Sequence, residues 1–135
     1  MAEQKQILIV DDEAMIRRLL ASTLKRAGYD VVQAAHGEQA WAWLTENRPD
    51  AMVTDIDMPK MTGEELCLRI QEEIPDRTFP IFISTSKTAI EHRQWSRKMD
   101  TVAFIEKPMS MRKFVEDLKR ALADRPAQAP EHAET

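Results

Sequence analysis

Four apolar runs rich in Ile and Val, ILIV, AMVT, PIFIS and VAFIE, each end in a polar residue of a particular kind. They run into Asp11-Asp12, Asp55, Thr85 and Lys107-Pro108 respectively. Runs this short, flanked by helical patterns, read as buried parallel strands. In an open parallel sheet the carboxyl ends of the strands share one edge, and ligands bind there. The chain is therefore expected to gather three carboxylates, a hydroxyl and an ammonium in one crevice. Clustered carboxylates repel one another unless a hard cation sits among them, so this pattern asks for Mg2+.

Strand and helix patterns alternate five times. The strands are expected at about 6–10, 30–34, 51–55, 80–84 and 102–105. The first helix spans about 13–27, carries Ile16, Leu19, Leu20 and Leu24 at helical spacing, and is capped by Gly28. The second spans 37 to about 47, with Ala40, Trp41 and Leu44 on its core face. Trp43 lies about 100° off that face and is expected as an exposed contact anchor. Thr62-Gly63-Glu64-Glu65 opens a third helix as a capping box, and Thr88 to Glu91 opens a fourth that runs to about Met99. On that fourth helix His92, Trp95 and Met99 form a stripe, read as sheet packing or as a partner patch. Ser110 caps a fifth helix whose apolar stripe is Met111, Phe114, Val115, Leu118 and Leu122. The fold class is α/β: a doubly wound, five-stranded parallel sheet with five helices, occupying residues 1–123. Residues 124–135 have no apolar periodicity and read as a disordered tail, or as a linker to a further domain.

Bulk properties exclude several classes. No apolar stretch approaches the roughly 20 residues that span a bilayer, and the polar start MAEQKQ has no signal-peptide pattern. The one cysteine, Cys67, excludes an internal disulfide and fits a reducing cytoplasm. A formal net charge of −4 argues against general nucleic-acid binding. Gly28, Gly37 and Gly63 are the only glycines, too few for a phosphate-binding glycine loop after strand 1.

Taken alone, Asp11 and Asp12 at a strand-to-helix junction would read as helix caps. With Asp55 at the same edge, metal binding is the stronger reading. Asp55 is the candidate nucleophile: a carboxylate is already ionised at neutral pH and needs no base to attack phosphorus. Mg2+ held by Asp12 and Asp55, together with Lys107, would neutralise the phosphoryl oxygens, with Asp11 holding the metal through a water or orienting the groups around it. Which of Ser84, Thr85 and Ser86 faces the crevice depends on strand register.

The pieces ILIVDDE, MVTDIDMPKMTG, PIFISTS and FIEKPM, in that order, resemble a response-regulator receiver domain of two-component signalling. The resemblance covers about residues 5–123 and implies a flavodoxin-like sheet of order 2-1-3-4-5, the order already known for a chemotaxis receiver of this family. It implies that Asp55 is the phosphoacceptor and that Asp11, Asp12, Asp55 and the backbone carbonyl of Asp57 bind Mg2+. Thr85 and Lys107 would contact the phosphoryl group, Phe104 would be the aromatic switch residue, and the Lys107–Pro108 peptide would be cis. The implied phosphoryl donor is a histidine kinase or phosphotransfer protein. The implied output is a repacked surface of helix 4, strand 5 and helix 5 that controls a downstream protein target, without direct nucleic-acid or membrane binding. Phosphorylation-dependent homodimers through that face occur in the family.

The segment 98–101 lacks the small turn usual before strand 5, which alters the exit from helix 4. Asp57 and Lys87 lie where the family tunes phosphoryl lifetime. Two other readings compete: a haloacid-dehalogenase-like aspartyl-phosphate phosphatase, suggested by Asp55-Ile-Asp57, and a receiver fold that acts without phosphorylation. The first is disfavoured because the acidic pair precedes the nucleophile and no cap domain fits the length.

Overall fold

The computed structural model describes residues 4–58, 60–85, 99, 102–107 and 109–123. Five strands, β1 (Gln6–Val10), β2 (Asp30–Ala34), β3 (Ala51–Asp55), β4 (Ile81–Thr85) and β5 (Val102–Glu106), form one parallel sheet of order β2-β1-β3-β4-β5. Four helices lie among the described residues: α1 (Ala14–Arg26), α2 (Gly37–Leu44), α3 (Gly63–Glu73) and α4 (Met111–Leu122). The helix expected over 88–99, with His92 and Trp95, lies outside the described residues except for the buried Met99. So do Lys87, Pro108 with its expected cis bond, and the tail 124–135.

The sheet is covered on both faces, which is why its central strands are apolar on both sides. One face joins Leu8, Met52, Ile81 and Ile83 to Ala40 and Leu44 of α2 and Leu66 and Ile70 of α3. The other joins Ile7, Ile9, Val53 and Phe82 to Leu20 and Leu24 of α1 and Phe114, Leu118 and Leu122 of α4. Across this second layer Phe82 and Phe114 meet edge to face, centroids 5.4 Å apart, a geometry that adds about 1 kcal/mol beyond area burial. The edge strands β2 and β5 are only partly buried, as their burial patterns show.

Local chemistry sets the boundaries. Gly28 takes φ 100° just past α1, and its N–H and that of Tyr29 bond the Lys25 and Leu24 carbonyls, closing the helix in a Schellman turn. The capping box forms as expected: Glu65 N–H donates to Thr62 Oγ1 at 3.1 Å, and Thr62 N–H donates to the Glu65 carboxylate at 2.9 Å. Ser110 caps α4 by accepting from Lys113 N–H.

Three expectations are corrected. Helix α2 stops at Leu44, not near Asn47, because Thr45 Oγ1 and Asn47 Nδ2 bond the Ala42 and Trp43 carbonyls and end the ladder. Trp43 is not an exposed anchor; it is half-buried and packs, like Trp41, against the core beneath α2. Leu19 shares helical spacing with Leu20 and Leu24, yet it is 46% exposed, because the buried face of α1 centres on Leu20, Ala21 and Leu24.

Candidate functional site

At the carboxyl edge of the sheet the Asp11, Asp12 and Asp55 carboxylates offer oxygens that all lie within 4.8 Å of one another. Asp55 is the last residue of β3, and Asp11 directly follows β1, so two adjacent central strands deliver them to the same level. Asp11 and Asp55 are each 3% exposed, whereas Asp12 faces solvent. Lys107 follows β5 and reaches back over the edge, with Nζ 2.8 Å from Asp55 Oδ1. Its main-chain N–H is held by the Thr85 carbonyl at 2.9 Å, which fixes where that side chain starts.

Electrostatics at this edge are unbalanced. Among the described residues, three carboxylates face one ammonium. Burial raises the Asp11 carboxyl from its ordinary 3.8 to about 6; the Glu13 N–H bond opposes this, and the Asp55 charge adds to it. For Lys107, burial lowers the pKa, but the contact with Asp55 and the charges of Asp11 and Glu13 outweigh it, leaving the pKa raised. Asp55 Oδ1 is fully buried and has the Lys107 charge beside it, but no hydrogen bond of good angular geometry. A buried carboxylate oxygen without a directed donor, next to two more carboxylates, is a donor set suited to a hard divalent cation with oxygen ligands. The residues present therefore fit Mg2+.

Asp57, expected to contribute only its backbone carbonyl, is exposed in the loop after β3. Register pairs Asp55 with Ser84, and Thr85 with Glu106. Strand alternation then turns Ser84 to the Asp55 face and Thr85 to the face of Ile81 and Ile83. Ser84 lines a cavity with Asp11 and Lys107. Thr85 is 1% exposed and shares its face with Phe104, which pairs with Ile83 one step back along β4.

Other residues shape the site that the sequence reading did not assign to it. Gly63 N–H donates to the Ile56 carbonyl at 2.9 Å, and a Cβ built on Gly63 would collide with the Asp55 carbonyl oxygen. Only glycine permits that approach. Thr54 Oγ1 donates to the Asp55 carbonyl at 2.9 Å. Arg17 Nη1 donates to the Asp11 carbonyl at 2.8 Å; its position one turn beyond Glu13 is the signal that would have singled it out. Lys60 holds φ 69° in the loop between β3 and α3, an uncommon conformation for a side-chain-bearing residue.

Known proteins resemble this chain along most of its length. The family profile of the response regulator receiver domain matches residues 7–119. The phosphate regulon transcriptional regulatory protein PhoB of Pseudomonas aeruginosa is 35% identical over 87% of this chain and 52% of its own length. The chain thus spans about half the length of that relative. Among solved structures, chemotaxis protein CheY4 of Vibrio cholerae superposes with a TM-score of 0.81 at 31% identity, covering 89% of this chain and all of that one. Response regulator TrrA of Thermotoga maritima, solved in complex with Mg2+ and BeF, superposes with a TM-score of 0.76 at 29% identity over 88% of this chain and all of that one. No described helix is long and apolar enough to cross a membrane. Fold order, edge chemistry and sequence coverage agree: the chain belongs to the response-regulator receiver domain family.

Proposed function

We propose that Asp55 accepts a phosphoryl group from a histidine kinase or phosphotransfer protein, and that the chain works as a switch without substrate turnover. One observation carries this reading: Asp11, Asp12 and Asp55 converge within 4.8 Å, with Lys107 Nζ 2.8 Å from the Asp55 carboxylate. Asp55 Oδ attacks phosphorus, the bond from phosphorus to the donor nitrogen breaks, and an acyl phosphate remains on Asp55. Lys107 leaves the Asp55 oxygen to pair with the phosphoryl oxygens as they arrive. Asp11 and Asp12, with Asp55 and the Asp57 carbonyl, would hold Mg2+, which when bound neutralises phosphoryl charge. The Mg2+ and BeF bound to TrrA support the same assignment here.

The switch runs through β4 and β5. Thr85 and Phe104 project from the same sheet face on adjacent strands, so a shift of the Thr85 hydroxyl toward new phosphoryl oxygens opens space for the Phe104 ring. Inverting a 1:99 population takes about 5.5 kcal/mol, within reach of several charge-assisted bonds to a group that carries roughly −1.5 to −2 charges. The surface of β5 and α4 then presents itself differently to a protein partner, while the segment expected to share that surface, 88–98, lies outside the described residues. Homodimerisation through that surface is one such outcome. The cytoplasm is the compartment in which such a relay and the lone buried thiol of Cys67 both fit.

Intact mass after treatment with acetyl phosphate and Mg2+ tests the proposal. We expect one phosphoryl group on the wild type and none on Asp55→Asn. Equal labelling of both, or continuous release of phosphate from added phosphate esters, would overturn it.

A further inference from the structure

Between β1 and α1 the chain turns in three residues, Asp11, Asp12 and Glu13. Asp11 is held through both its backbone and its side chain. Its N–H donates to the Ala34 carbonyl at 3.1 Å, its Oδ1 accepts from Glu13 N–H at 2.9 Å, and its carbonyl accepts from Arg17 Nη1 at 2.8 Å. Asp12 is different: none of the described hydrogen bonds involves it, and it is exposed. Yet its carboxylate stays within 4.8 Å of two others that repel it. What holds it there is the backbone on either side.

A peptide unit is planar, so fixing the Asp11 carbonyl oxygen also fixes the Asp12 nitrogen in the same plane. Arg17 grips that plane from α1, one helical turn beyond the loop, while Glu13 N–H is gripped by Asp11 Oδ1. Asp12 is thus strung between two anchored peptides. The Arg17 guanidinium makes no ion pair with a carboxylate among the described residues. We propose that Arg17 is a positioning residue for the cation site, acting through the Asp11–Asp12 peptide and not through its charge. This inference rests on the Mg2+ assignment made above for the same carboxylates.

The two modes of action have opposite signs. Deleting a positive charge near three carboxylates should tighten Mg2+ binding by simple electrostatics. Deleting a clamp should weaken it, because Asp12 then drifts from Asp11 and Asp55. Arg18, adjacent in sequence but exposed, provides the charge control.

The test is calorimetric titration of MgCl2 into the full chain and its Arg17→Ala, Arg17→Lys and Arg18→Ala variants, with urea unfolding of each in chelator. Loss of a group that orients a metal ligand typically weakens the metal about 10-fold to 100-fold. Arg17→Ala should therefore raise the Mg2+ Kd about tenfold. Arg17→Lys, which keeps a donor and the charge, should recover part of that loss, and Arg18→Ala should leave the Kd unchanged. A Kd that is unchanged or tighter in Arg17→Ala overturns the proposal. So does equal weakening in Arg18→Ala, a lowered unfolding midpoint with an unchanged Kd, or a wild type that binds no Mg2+. A wild type that binds Mg2+ but takes up no phosphoryl group would sink the phosphoacceptor reading alone, since the calorimetric comparison still decides the role of Arg17.

Discussion

Asp11→Asn should stabilise the metal-free protein, an unusual direction for a change at a functional site. The Asp11 carboxyl is 3% exposed, and burial is the main reason its pKa moves from 3.8 to about 6. The folded chain then binds the Asp11 proton more tightly than the unfolded chain does. Its contribution to stability is therefore greatest below about 3.8 and is lost as pH rises through about 6. At about 1.36 kcal/mol per pKa unit, ionised Asp11 costs the fold on the order of 3 kcal/mol near pH 7 and about 1 kcal/mol near pH 4.5. Asn has nearly the same shape, carries no charge and keeps an oxygen to accept from Glu13 N–H. Allowing for that bond becoming neutral, the net gain near pH 7 is on the order of 2 kcal/mol, or roughly 6–10 °C in Tm. Urea unfolding in chelator at both pH values measures it, and the gain should shrink by more than half at the lower one. A variant no more stable than wild type near neutral pH, or an advantage that does not shrink on acidification, would refute the reasoning.

Further outcomes follow from the same geometry. Mg2+ should raise the Tm of the wild type and barely move that of Asp11→Asn, which a thermal melt with and without chelator resolves. Lys107→Ala leaves buried Asp55 without its charge partner; because Lys107 is 32% exposed, the cost should be only about 1–2 kcal/mol, and smaller still in an Asp55→Asn background, as a double-mutant cycle in urea would read. Gly63→Ala drives a methyl into the Asp55 carbonyl oxygen and to 2.8 Å from Ile56 Cα, so α3 or the β3 end must shift. It should lower stability by about 2–3 kcal/mol and weaken Mg2+ binding, read by urea unfolding and calorimetry. Thr62→Ala removes half of the capping box and should cost about 1 kcal/mol in the unfolding midpoint without altering Mg2+ affinity.

Much of this molecule follows from local chemistry. The Ile and Val runs form parallel strands, buried on both faces in the central β1, β3 and β4 and only partly in the edge strand β5, and their polar ends therefore share an edge. The bounds of β1 and β3 follow these runs to the residue, and Asp11, Asp12, Asp55 and Lys107 come together at their ends. Caps at Gly28, Thr62 and Ser110 were equally legible, because each satisfies backbone groups within a few residues of itself. Trp43 was misread because a helical wheel treats the core as a flat plane on one side of the helix. An indole is large enough to reach that core from 100° round the axis, and α2 is only eight residues long.

What the sequence by itself determined was the fold class, the sheet edge and the acidic identity of the site, since these depend on periodicity and on residue type at strand ends. Tertiary structure alone decided which further side chains border that site. Parallel register turned Ser84 toward Asp55 and Thr85 toward Phe104, and a one-residue slip would have exchanged them. It also chose Arg17 over Arg18 to hold the Asp11 carbonyl, and it brought Gly63 against the Asp55 backbone. Such contacts join residues by distance across packed elements, and no local pattern records a distance.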